Sequence, residues 1–186
     1  FPLGLDNLSA VIAESRSRGV IEIGNFNSPS QHVVTGEEAA VRYALEIVER
    51  DHFAQGLVIE ERAPMHSSLF RSVGEELRPH LERAAWRRPF APYHPNVTAT
   101  PIAEPTAADF IRCLTEHVHR PVLWRESIEH LVLQHPEAVF AEIGPRAVLF
   151  NLLQKRWLKN RKLKTDDPEE PLAGMRATAE ELRDVA

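Results

Sequence analysis

Val20-Ile21-Glu22-Ile23-Gly24-Asn25-Phe26-Asn27-Ser28-Pro29-Ser30-Gln31-His32-Val33-Val34 is the stretch on which the fold turns. Val20 to Ile23 is a short run rich in β-branched residues and reads as a strand. Asn27-Ser28-Pro29-Ser30 carries turn chemistry, and Gln31 to Val34 reads as a second strand. Upstream, Asp6 can cap a helix whose Leu8, Val11 and Ile12 share one face, with Gly19 as its stop. Downstream, Thr35 and Glu38 have capping-box spacing and open a helix with Val41, Ala44, Leu45 and Val48 on one side. Leu57-Val58-Ile59-Glu60 reads as a third strand, and Phe1–Leu5 as the end of an earlier one. Helix, strand, strand, helix, strand after an initial strand is the split βαββαβ pattern.

From His66 the texture changes. Leu69, Val73 and Leu77 step by four, so a helix begins just after the histidine, and Pro79 is expected to end or kink it. Residues 87–105 hold Pro89, Pro92, Pro95, Pro101 and Pro105 and read as extended segments and loops. Thr106 and Asp109 open another helix, which stops before Pro121. A further helix runs from about Leu123 to His135. Ala138 to Ile143 reads as a strand, and Pro145 sits where a first helical residue is expected. Val148, Leu149, Leu152 and Leu153 are the expected buried face of that last helix. Residues 166–186 read as an acidic linker or tail.

The 186 residues are 43% hydrophobic, enough to bury a core. A balance of 22 basic against 27 acidic residues, net −5, argues against general nucleic-acid binding. No apolar run approaches the ~20 residues that span a bilayer. Phe1-Pro2-Leu3-Gly4-Leu5-Asp6 has no basic n-region and no initiator methionine, and reads as an internal start, a fragment or a processed product. The single cysteine, Cys113, excludes an internal disulfide, so the chain reads as cytoplasmic, and its place among Phe110, Ile111 and Leu114 reads as core.

His66 follows a strand through Pro64 and precedes a helix, a rigid junction on which a base can face a cleft. No nucleophile elbow accompanies it. Phe70-Arg71-Ser72-Val73-Gly74 has phenylalanine where G-x-S-x-G needs its first glycine, and it lies within a helix pattern. Ser67 and Ser68 are too near His66 in sequence to offer it a hydroxyl, and read as helix-starting residues. His117 and His119 lie two apart, pointing to different sides of a helix, and no spacing supports a metal site. Lys155, Arg156, Lys159, Arg161, Lys162 and Lys164 form a basic cluster that reads as a solvated helix end.

Three segments in order, Ile23 to Gln31, Ala63-Pro64-Met65-His66-Ser67-Ser68-Leu69-Phe70 and Glu142-Ile143-Gly144-Pro145-Arg146, resemble the later part of the malonyl-CoA:acyl carrier protein transacylases and polyketide synthase acyltransferases. The resemblance covers roughly Phe1 to Trp157. It implies an α/β fold: a ferredoxin-like subdomain over residues 1–61, then the C-terminal part of an α/β-hydrolase-like acyltransferase core over 62–165. It also implies transfer of a malonyl-type group from coenzyme A to a carrier-protein phosphopantetheine thiol through an acyl-serine. His66 would be the general base, oriented by the main-chain carbonyl of His117, where the family has glutamine. Asn25, Asn27, Gln31, Met65 and Asn96 match positions near the substrate, and bulky Met65, just before the base, implies malonyl over methylmalonyl.

The family's serine and carboxylate-gripping arginine lie upstream of the matched region, so the upstream half of the acyltransferase is an expected partner. No bound metal or redox cofactor is implied; the coenzyme A thioester is substrate. The basic cluster offers, as its other reading, a contact with an acidic acyl carrier protein. Two other readings stay open: a hydrolase or non-malonyl acyltransferase of the same fold, and a non-catalytic carrier-docking module.

Overall fold

β-Branched residues on both sides of Pro29-Ser30 pair as a hairpin in the computed structural model, which describes residues 1–144, 146–155, 157–165, 176, 180 and 183. β1 (Ile21–Ser28) runs antiparallel to β2 (Gln31–Gly36), with Ile21 opposite Gly36 and Ile23 opposite Val34. The register slips between Ile23 and Asn25 and again between Phe26 and Ser28, as local bulges do. Helices α1 (Leu5–Ser15) and α2 (Glu38–His52) complete the core. Leu8, Val11 and Ile12 of α1 join Ile21 of β1 and Ala40, Ala44, Ile47 and Val48 of α2 in one buried cluster. Each large aliphatic side chain there contributes about 1.5–3 kcal/mol.

Both edges of this hairpin are engaged. Phe1 and His32 exchange main-chain hydrogen bonds, 3.0 Å from the Phe1 amine and 3.1 Å from the His32 N–H. Leu5, expected in the same strand, opens α1 instead. On the other edge Val122 bridges β1 in parallel, receiving the Phe26 N–H at 2.9 Å and donating to Gly24 at 2.8 Å. The expected third strand, Leu57 to Glu60, does not form. No strand pairs with it, and Leu57 and Ile59 are 81% and 69% exposed; a strand without a neighbour keeps only its solvation.

The helix starts differ in a similar way. Glu37 precedes α2, and its carboxylate accepts the Val20 N–H rather than capping the helix, so the expected Thr35/Glu38 box is absent. α1 likewise begins after Gly4, with Asp6 in its first turn, where a negative charge suits the helix dipole. The Thr106/Asp109 box does form, at 3.3 and 2.9 Å, and opens α4 (Ala107–His117). A 3₁₀ turn, Ser68–Phe70, leads into α3 (Arg71–Glu82). α3 continues through Pro79, which falls in its last turns, where one missing hydrogen bond is tolerated. Residues 87–105 are extended segments and loops, with a turn at Asn96–Thr98 and a single bridge between Tyr93 and Ile102. α5 spans Trp124–Gln134.

Contacts gather the chain into two compact units, residues 1–130 and 131–186, so segments 1–61 and 62–130 share one unit. In the second unit β3 (Phe140–Glu142) pairs in parallel with β4 (Lys162–Lys164), and α6 (Val148–Leu152) lies between them in sequence. The Glu142 carboxylate accepts the Leu149 and Phe150 N–H groups at 3.1 and 2.7 Å. Lys162 Nζ donates to the carbonyls of Phe150 and Leu153 at 2.6 and 2.8 Å and sits 4.0 Å from the Phe150 ring centre. An acid at the amino end of α6 and a base at its carboxyl end both complement its dipole. Lys162 and Lys164 are therefore strand residues, not part of a solvated helix end. Leu153 is buried as expected, but Val148 and Leu149 are 57% and 39% exposed. Pro145 and the expected acidic tail lie outside the described residues, Arg176, Glu180 and Arg183 apart. Among the described residues no helix is long and apolar enough to cross a membrane.

Candidate active site

The Ala63–Phe70 turn is fastened at several points. Ser67, wholly buried, donates its hydroxyl to the Pro64 carbonyl at 2.6 Å, and the Ser68 N–H reaches the Glu22 carboxylate at 2.6 Å. His66 lies in the left-handed region, φ 62°, a conformation that costs a non-glycine residue roughly 1–2 kcal/mol. Its own N–H donates to the Val118 carbonyl at 2.9 Å, which holds it there. Beneath the turn, a Cβ on Gly24 would come within 3.0 Å of Thr35 and 3.6 Å of the His66 Cβ. Glycine there lets β1 pass close to the Thr35 side chain of β2, with the histidine at ordinary contact distance.

The His66 ring is held as firmly as its backbone. Nδ1 lies 2.7 Å from the carbonyl oxygen of His117, at the end of α4, where helix carbonyls lack partners. A carbonyl only accepts, so Nδ1 must carry the hydrogen and Nε2 the lone pair. The ring is thus preset as a base at Nε2. His117 packs its own ring against it, centroids 4.8 Å apart and tilted by 38°. Asn96 Nδ2 lies 3.2 Å from His117 Nε2, and the Asn96 carbonyl receives the Leu123 N–H at 2.9 Å. Burial, and then the neighbouring His66, hold the His117 pKa below the ordinary histidine value.

His66 opens on a cleft of about 690 Å³ whose lining includes Glu22, Ser68, Arg71, His119 and Arg120. Arg120 is paired with Glu116 at 2.6 Å. The structure thus brings together His66, the His117 carbonyl and the Asn96 side chain. Asn25, Asn27, Gln31 and Met65 are not among the residues lining this cleft; Asn25 and Asn27 are half-buried on β1, and Gln31 and Met65 are exposed. The sequence reading missed Glu22, Arg71, His119 and Arg120. Their signal was positional: Glu22 shares β1 with Gly24, Arg71 follows His66 by five residues, and His119 and Arg120 follow His117 by two and three.

Ser68 lines the cleft beside the base, with its N–H on the Glu22 carboxylate. The Ser67 hydroxyl is committed to Pro64, and Ser72 is exposed on α3. The Cys113 thiol is buried, and burial pushes its pKa up, away from the thiolate. Among the described residues no three His, Cys, Asp or Glu side chains gather as a metal site.

A histidine oriented through Nδ1 beside an open cleft has the geometry that a general base takes in a nucleophile–base pair. No family model matches the sequence. It is 32% identical over 153 residues to the malonyl CoA-acyl carrier protein transacylase of Bacillus subtilis (strain 168), covering 81% of this chain and 46% of that one. It is 32% identical over 155 residues to the polyketide biosynthesis protein ThaF of Burkholderia thailandensis, covering 82% of this chain and 13% of ThaF. The crystal structure of the malonyl CoA-acyl carrier protein transacylase from Clostridium perfringens superposes with a TM-score of 0.81 at 26% identity, over 98% of this chain and 55% of that one. Its curated homologues include malonyl CoA-acyl carrier protein transacylases, and the chain spans about half the length of those relatives.

Proposed function

We propose that these residues supply the base half of an acyltransferase that moves a malonyl-type group from coenzyme A to the phosphopantetheine thiol of an acyl carrier protein. The observation that carries this reading is the 2.7 Å contact from His66 Nδ1 to the His117 carbonyl, which leaves Nε2 as the proton acceptor. A serine from outside these 186 residues would give its proton to Nε2 as its oxygen attacks the thioester carbonyl. The coenzyme A sulfur then leaves and takes that proton back, and an acyl-serine remains. In the second half the carrier thiol gives its proton to Nε2 and attacks the acyl-serine, and the serine oxygen is released protonated. His66 thus acts alternately as base and acid.

Residues 1–61 form, in this reading, a ferredoxin-like subdomain whose Asn25, Asn27 and Gln31 border the acyl or carrier group. Met65, 47% exposed just before the base, would border the acyl α-carbon and favour malonyl over methylmalonyl. The test is mass spectrometry after incubation with malonyl-CoA. The 186 residues alone should gain no acyl adduct, and the protein carrying the serine half should gain one. A malonyl adduct on any serine of this chain alone would overturn the assignment of the nucleophile. Competition between malonyl- and methylmalonyl-CoA on the loading protein checks the selectivity, and preferential methylmalonyl loading would remove the role given to Met65.

A further inference from the structure

His66 and His117 are two imidazoles in contact, and proton transfer at this site needs one to take the charge and the other to stay neutral. With ring centres 4.8 Å apart, a charge on one opposes a charge on the other. The main-chain contact from His66 fixes the tautomer of His66 but does nothing to keep His117 uncharged. We infer that Asn96 is a positioning residue that holds the His117 ring neutral, with its hydrogen on Nδ1, so that the proton exchanged at this site goes to His66.

The geometry is that of a donor facing an acceptor. The Asn96 Nδ2 group only donates, and it lies 3.2 Å from His117 Nε2, which must therefore offer a lone pair. Charging His117 would put a hydrogen on Nε2 and set two donors against each other. Asn96 is anchored on both sides: its carbonyl accepts the Leu123 N–H at 2.9 Å, and Val97 beside it is 2% exposed. The charges around His117 do not override this arrangement. Glu116 and Arg120 flank it in sequence and satisfy each other at 2.6 Å, and His66 is the facing titratable group. Burial works in the same direction, holding the His117 pKa below its ordinary value. Asn96 thereby acts on the chemistry through His117, one ring removed from the reacting atoms.

This inference rests on His66 being the base, but its test needs no substrate. The protein, labelled with ¹⁵N in its histidine rings, is titrated while long-range proton–nitrogen spectra report which nitrogen of each ring carries hydrogen. In the wild type His117 should show hydrogen on Nδ1 and a bare Nε2, persisting to a pH below the usual histidine midpoint. Asn96→Ala should move the His117 midpoint upward. Asn96→Asp, whose carboxylate accepts from an Nε2–H, should move it further and place hydrogen on Nε2 at neutral pH. A wild-type His117 with hydrogen on Nε2 would overturn the inference, as would variants whose His117 tautomer and midpoint match the wild type. Should neither variant fold, the wild-type tautomer decides alone. Failure of acyl loading would count against the proposed function, and the ring states would still be read independently of it.

Discussion

The apolar residues between Leu5 and Val48 and those between Phe53 and Ile59 are alike in chemistry and opposite in fate. Leu8 and Val48 are fully buried and Ile21 is 1% exposed, whereas Phe53, Leu57 and Ile59 are 93%, 81% and 69% exposed. The difference is not propensity. Two helices close over the hairpin in the first region, while the second pairs with no strand; Val122 and Phe1 meet the hairpin's outer edges instead. Burial follows from having a partner, and an apolar strand-like run without one stays in water.

Substitutions should separate the two regions sharply. Leu8→Ala leaves a cavity at the centre of the cluster and should cost about 2–5 kcal/mol in denaturant unfolding; a loss below ~1 kcal/mol would show the core to be looser than its burial implies. Gly36→Ala comes next. Gly36 has φ 156° and lies against the Val20 carbonyl oxygen, which a Cβ would overlap, so about 1–3 kcal/mol should be lost. In the exposed region the sign reverses at one position. Phe53 ends α2 in the left-handed conformation, φ 50°, and Phe53→Gly should stabilise by about 0.5–1 kcal/mol. Leu57→Ser should stay within about 0.5 kcal/mol of the wild type. A large loss there would mean that residues 53–60 are covered in solution and would dissolve the contrast.

The same contrast explains what could be read in advance. The hairpin, its two helices and the Thr106/Asp109 cap are local patterns, set by residues three or four apart, and they are found in the structure. The missing third strand, the carboxylate of Glu37 spent on Val20, and the strand at Lys162–Lys164 depend on partners distant in sequence. No local pattern reports those. At the site, the His66–His117 contact was expected from the family resemblance, since a main-chain carbonyl persists when its side chain changes. Asn96 was expected near substrate, and its amide instead reaches the His117 ring. That pairing joins residues 21 positions apart and leaves no trace in spacing.

If His66, held by the His117 carbonyl, is the base of an acyl transfer, loss of its ring must slow the loading step. The direct measurement is the rate of malonyl loading by the protein that carries the serine half, for the wild type and for His66→Ala. A fall of ~10²–10⁴-fold is expected, with the exposed Ser72→Ala close to wild type. A His66→Ala protein that loads at the wild-type rate would contradict that role.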